Sequence, residues 1–194
     1  MSKKEEYQEI YINLDDSGKL SKKEELSVYA GIVFLSKQEK DKFITQYRSI
    51  INDIKCKYCK NKSTCNKKCP EIKNTNIKNS DKRRIMNYIK KYFVVGLIIN
   101  NQNVYDHIIE NKAAKGRFID YSLRRMIKEI INNQISNHNI SENRPLKVVV
   151  NIDEQTTKSN GYYNLHDGLV EELKYGISNF NYACIYNPIV FNDL

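Results

Sequence analysis

Apolar residues recur along the chain with two spacings, one of strands and one of helices. Residues 8–15 read as a strand. Leu26 to Leu35 (Leu-Ser-Val-Tyr-Ala-Gly-Ile-Val-Phe-Leu) reads as a second, joined to the first by a polar loop containing Gly18. Phe43, Tyr47, Ile50, Ile51 and Ile54 then fall at helical spacing, which predicts a helix over about 37–54 with Ser36 as N-cap and Glu39 in its first turn. A cysteine-rich stretch, 55–70, breaks the pattern, and Glu71-Ile72-Lys73 reads as a short extended piece. Ser80-Asp81 opens another helix carrying Ile85, Met86 and Ile89. Tyr92 to Ile99 is a buried strand by composition. The clearest helix spans 117–135, with Ile119, Leu123, Met126, Ile127 and Ile130 on one face. Pro145 ends a polar loop before the buried strand 146–152. A shorter helix over Tyr162 to Tyr175 and a strand over 180–186 complete the series.

An opening hairpin followed by helix–strand alternation predicts an α/β fold, a mixed sheet covered by helices. A ribonuclease H-like fold fits this order. The 194 residues suffice for one domain, 1–194, with 55–70 inserted as a small loop. No apolar run reaches membrane-spanning length and the N-terminal residues do not form a signal peptide, so no membrane contact and a cytoplasmic location are expected.

Charge changes this picture in one place. Lys and Arg number 32 against 23 Asp and Glu, a net charge of +9. Between Lys55 and Lys91 there are thirteen Lys and Arg against only Glu71 and Asp81, so this segment holds essentially all of the positive excess. Such a segment suits a polyanion, nucleic acid first, with Lys73, Lys78, Arg83 and Arg84 as candidate contacts. A solvated, lysine-rich loop that aids solubility is the alternative reading of the charge, and an acidic protein partner is a further candidate.

Two acidic motifs follow apolar runs. Asp15-Asp16-Ser17-Gly18 comes after Tyr11-Ile12-Asn13-Leu14, and Asp153-Glu154 after Val148-Val149-Val150-Asn151-Ile152. Carboxylates at the ends of buried strands are costly unless paired, hydrogen-bonded or bound to a cation. If the strands are neighbours, the carboxylates converge and suit Mg²⁺ or Mn²⁺ and phosphodiester chemistry. Adjacent strand residues face opposite ways, so one of each pair looks into the site. Asp15 and Asp153 are favoured, Asp16 and Glu154 are their neighbours, and Glu71 is a possible third ligand. The first motif also has the composition of a turn.

Cys56, Cys59, Cys65 and Cys69 lie within fourteen residues. In a reducing compartment such spacing reads as metal binding, and four thiolates suit a structural Zn²⁺, with an iron–sulfur cluster as the alternative. The intervening lysines make the loop a candidate phosphate grip, with Tyr58 as a stacking residue.

These motifs together resemble the DUF 3800 family. Asp15-Asp16-Ser17-Gly18 is similar to its "D-E-S-G" opening, Glu71-Ile72-Lys73 to its "E-(I/L)-K" motif, and Val148 to Lys158 to its "hydrophobic run-D-E-x-(T/S)-x-K" block. Val28 to Phe34 and Tyr92 to Ile99 match the intervening strands. The resemblance implies a ribonuclease H-like fold and a metal-dependent nuclease or integrase-like role. It implies Asp15, Glu71 and Asp153 as metal ligands, supported by Asp16 and Glu154, with Lys73 and Lys158 as phosphate contacts. The chain departs from the family in having Asp16 where Glu is usual. It also ends at Asn192-Asp193-Leu194 without the family's terminal "Q-x-A-D" helix. That departure raises an alternative: a catalytically inactive module of the same fold that binds nucleic acid or protein in a defence or mobile-element system.

Overall fold

A computed structural model describes residues 7–59, 73, 76–152, 165–174 and 190–193. Its elements run β1 (Gln8–Ser17), β2 (Leu26–Phe34), α1 (Lys37–Tyr58), α2 (Asn79–Ile89) and β3 (Phe93–Asn100). Then follow α3 (Asp106–Glu110), α4 (Lys112–Ser136), β4 (Leu146–Ile152), α5 (Leu165–Lys174) and β5 (Val190–Asp193). The fold is α/β with one five-stranded mixed sheet in the order β3-β2-β1-β4-β5. β2 runs antiparallel to β1, β4 runs parallel to β1, and β5 runs parallel to β4. The chain divides into two compact units, Met1–Ser36 with Val94–Leu194, and Lys37–Phe93.

In the first unit, strand alternation separates the two faces of the sheet. Ile10, Ile12 and Leu14 of β1 and Leu146, Val148, Val150 and Ile152 of β4 join one core cluster. Ile119, Leu123, Ile127, Ile130 and Ile131 of α4 and Leu169 and Leu173 of α5 belong to the same cluster. Leu123 and Ile127 are fully buried, each stabilising the fold by about 1.5–3 kcal/mol. Tyr11 and Val149, at alternate positions, are buried outside that cluster. β1 and β2 approach closely at one point. A Cβ on Gly31 would lie 1.8 Å from the Asn13 carbonyl oxygen, so only glycine fits there.

The second unit pairs α1 with α2 through aromatic rings. Phe43 stacks on Tyr47 and on Tyr88 at centroid distances of 5.4 Å each, and meets Tyr92 edge-on at 4.8 Å. Asp81, buried near the start of α2, accepts from Lys57 Nζ at 2.7 Å and from the Tyr58 hydroxyl at 2.9 Å. Those bonds tie the end of α1 to the start of α2, whichever way the chain runs between them.

Several boundaries differ from the sequence pattern. α1 continues four residues past the expected end and carries Cys56 within the helix. α4 begins at Lys112 rather than 117, because the Asn111 side chain accepts from the Ala113 and Ala114 N–H groups at 3.0 Å and caps a turn with no apolar stripe. Met86, expected on the packed face of α2, is 59% exposed. The strand expected over 180–186 lies outside the described residues, and the strand observed near the C-terminus is β5. Among the described residues, no helix is long and apolar enough to cross a membrane.

Candidate metal centre and basic face

Asp15 and Asp16 are strand residues, not turn residues. Pairing with β2 continues through Asp15↔Ala30, Asp16↔Tyr29 and Ser17↔Val28, and the chain turns only at Gly18, whose φ is 83°. The register assigns each carboxylate a face. Asp16 is level with the core residue Tyr29 and shares the face of Leu14 and Ile12. Asp15 shares the other face with Asn13 and Tyr11. Both are exposed, and the Asp16 N–H donates to Asp15 Oδ1 at 3.0 Å. Neither makes an ion pair among the described residues.

The loop after these residues is firmly built. Asn101, fully buried, donates to the Lys19 and Glu24 carbonyls at 3.1 and 3.0 Å and accepts from the Ser27 hydroxyl at 2.9 Å. Glu24 Oε2 accepts from the Lys19 N–H at 2.7 Å. Every polar atom fixing this loop has a partner, so the C-terminal end of β1 is held at a defined position.

The parallel pairing of β1 with β4 runs from Gln8↔Leu146 to Leu14↔Ile152. Asp15 continues β1 after Leu14, and Asp153 follows Ile152 in sequence. Asp153 itself, with Glu154, Lys158 and Glu71, lies outside the described residues. So do Cys65 and Cys69. β5 brings in a residue that sequence reasoning did not place, Asp193, whose backbone is level in register with Ile152. The only signal for it was a short apolar pair, Val190-Phe191, shortly before the acid.

One pleat before the acids, the register aligns three asparagines, Asn13↔Asn151 and Asn151↔Asn192. Asn151 Nδ2 donates to Asn13 Oδ1 at 2.7 Å. Asn13 Nδ2 is buried with no hydrogen-bond partner. Sequence reasoning missed this pair, although each Asn interrupts an apolar run two residues before an acid. The donors present here are hard oxygens, carboxylate and amide, which suit Mg²⁺ or Mn²⁺ better than softer metals. Among the described residues, no group of three or more His, Cys, Asp or Glu side chains is arranged to hold a metal.

On the second unit, Cys56 is exposed and Cys59 half-buried at the end of α1. Cys56 lies in the last turn of α1 and Cys59 is the residue just after it. Lys73, Lys78, Arg83 and Arg84 are all exposed. Arg84 Nη2 pairs with Asp53 Oδ2 at 2.8 Å, and Lys57 pairs with Asp81, so part of the positive charge is neutralised within the unit. Lys73, Lys78 and Arg83 make no ion pair among the described residues. The Lys78 N–H donates to the Tyr58 hydroxyl at 2.9 Å, which commits that ring to the α1–α2 junction rather than to stacking.

Against known proteins, no family model matches the chain and no curated protein matches it.

Proposed function

We propose that the chain is a divalent-metal-dependent phosphodiesterase of ribonuclease H-like fold acting on DNA or RNA, as its resemblance to the DUF 3800 family implies. The observation that carries this reading is the register. Two adjacent parallel strands, β1 and β4, pair up to the residues that immediately precede Asp15 and Asp153. Neighbouring strands lie about 4.8 Å apart, a spacing at which acids following two paired strand ends could share a cation. The order β3-β2-β1-β4-β5, with β2 antiparallel to β1, agrees with a ribonuclease H-like sheet.

In this reading Asp15 and Asp153 hold Mg²⁺ or Mn²⁺, with Glu71 as a further ligand and Asp16 and Glu154 beside them. The bound cation supplies electrostatic stabilisation of the phosphate undergoing substitution. Lys73, Lys78, Arg83, Arg84 and Lys158 grip the phosphate backbone. Arg84 exchanges its Asp53 partner readily, because an exposed ion pair is worth about 1 kcal/mol or less. Cys56, Cys59, Cys65 and Cys69 hold a structural Zn²⁺, beside the Asp81 clamp that ties the end of α1 to the start of α2.

Nuclease activity with Mg²⁺ or Mn²⁺ on single- and double-stranded DNA and RNA tests the reading. Asp15→Ala and Asp153→Ala are expected to abolish cleavage while leaving salt-sensitive nucleic-acid binding intact. Cleavage unaffected by both changes would refute the site. Binding without cleavage by the wild type would instead identify a non-catalytic nucleic-acid-binding module. Elemental analysis is expected to give zinc, lost on Cys→Ser change at position 56, 59, 65 or 69. Iron and labile sulfide would indicate a cluster in its place.

A further inference from the structure

A buried amide, Asn151, and a half-buried one, Asn13, lie one pleat below the candidate carboxylate Asp15, and the sheet does not need them. Asn is disfavoured in strands, and the neighbouring residues Ile12, Leu14, Val150 and Ile152 are all buried and apolar. Asn151 is only 6% exposed. Its N–H to Asn13 Oδ1 bond fixes the orientation of the Asn13 amide, since turning that amide over would set one NH₂ group against another. The Nδ2 donor of Asn13 is thereby aimed away from Asn151 and left without an acceptor. A buried donor in that state is destabilising. A compatible acceptor is an anionic oxygen, to which a hydrogen bond is roughly twice as strong as to a neutral one.

Strand geometry shows where such an oxygen is available. Asn13 and Asp15 occupy the same face two residues apart, about 6.7 Å along the strand, within reach of two side chains that lean toward each other. We propose that Asn13, held by Asn151, is a positioning residue that donates to the Asp15 carboxylate when a divalent cation binds and so orients that carboxylate toward the cation. This rests on the metal-site reading above and adds the layer beneath the ligands. The amides themselves are not catalytic residues, because they act through the carboxylate.

The test uses the full chain, with Mn²⁺ alone as probe and thermal unfolding as a second readout. The double variant Asn13→Val/Asn151→Val replaces both amides with apolar, strand-favouring side chains. Exchanging both partners of a buried hydrogen bond for apolar groups is nearly neutral or stabilising. The double variant is therefore expected to unfold at the wild-type temperature or higher, yet to bind Mn²⁺ about 10- to 100-fold more weakly. Asn13→Ala, which keeps Asn151, is expected to weaken Mn²⁺ binding similarly and serves if the double variant does not fold. Asp15→Ala separates the two claims. If Asp15→Ala weakens Mn²⁺ binding but the folded Asn variants bind as wild type, the positioning role is overturned and the metal site stands. If Asp15→Ala also binds Mn²⁺ as wild type, both are overturned.

Discussion

Gly31→Ala is the sharpest test of how β1 is held. The added methyl would sit 1.8 Å from the Asn13 carbonyl oxygen, 2.7 Å from its carbon and 3.0 Å from Leu14 Cα. All three are backbone atoms, so no side-chain rotation relieves the contact. β1 and β2 would have to part by more than an ångström at the level of Leu14↔Gly31. Overpacking of this kind costs about 1–3 kcal/mol, and weakening two ladder hydrogen bonds adds about 1–2 kcal/mol. The expected loss is about 2–5 kcal/mol, against a total stability of about 5–15 kcal/mol. For a chain of this length that lowers the melting temperature by roughly 4–20 °C. Gly96→Ala is the matched control. Its Cβ would meet the Tyr29 carbonyl oxygen at 3.5 Å and Ala30 Cβ at 3.9 Å, ordinary contacts. Loss of glycine's backbone freedom there is neutral or stabilising by up to about 1 kcal/mol. Urea unfolding followed by circular dichroism and tyrosine fluorescence reads both. A Gly31→Ala loss below about 1 kcal/mol, or equal losses at the two glycines, would refute the close approach of β1 and β2.

Two titrating groups give pH-dependent expectations. Burial pushes the Asp120 carboxyl up to about 6, against the pull of Arg124. Since the folded value exceeds the unfolded one, its contribution is present near pH 4 and is lost as pH rises through 6. The group is partly exposed, so the effect is discounted for solvent screening to about 1 kcal/mol. Asp120→Asn is expected to raise the melting temperature at pH 7 and not at pH 4, and a loss at pH 7 would contradict this. Asp81 titrates the other way. The Lys57 hydrogen bond first, then that of Tyr58, holds its carboxyl below the usual value. Its contribution is present above about pH 4 and is lost as pH falls through the folded value. Acid unfolding of wild type and Asp81→Asn, followed by circular dichroism, is expected to show a shallower pH dependence in the variant. Parallel curves would contradict the clamp.

The elements most legible in the sequence were those whose core-facing side chains set the period. β4 was read at both ends because Leu146 to Ile152 is apolar almost throughout, as a strand buried on both faces must be. Boundaries made by polar atoms were not legible. The first turn of α4 depends on the Asn111 cap, and the last turn of α1 bears Cys56 and ends where Lys57 and Tyr58 reach Asp81. The acids at 15 and 153 stood out because each ends an apolar run. Which face Asp15 and Asp16 occupy needed the pairing with β2, since a one-residue slip would exchange them. The Asn13–Asn151 pair joins residues 138 apart in sequence, and nothing local marks either as the partner of the other.

The central claim is that Asp15 and Asp153 share one divalent-cation site at the ends of β1 and β4. Anomalous diffraction from crystals soaked in Mn²⁺ tests it most directly. The expected result is a manganese peak with carboxylate oxygens of both residues at roughly 2.0–2.2 Å, the range of hard-cation coordination by oxygen. No peak at saturating Mn²⁺, or a peak bound by neither carboxylate, would contradict it.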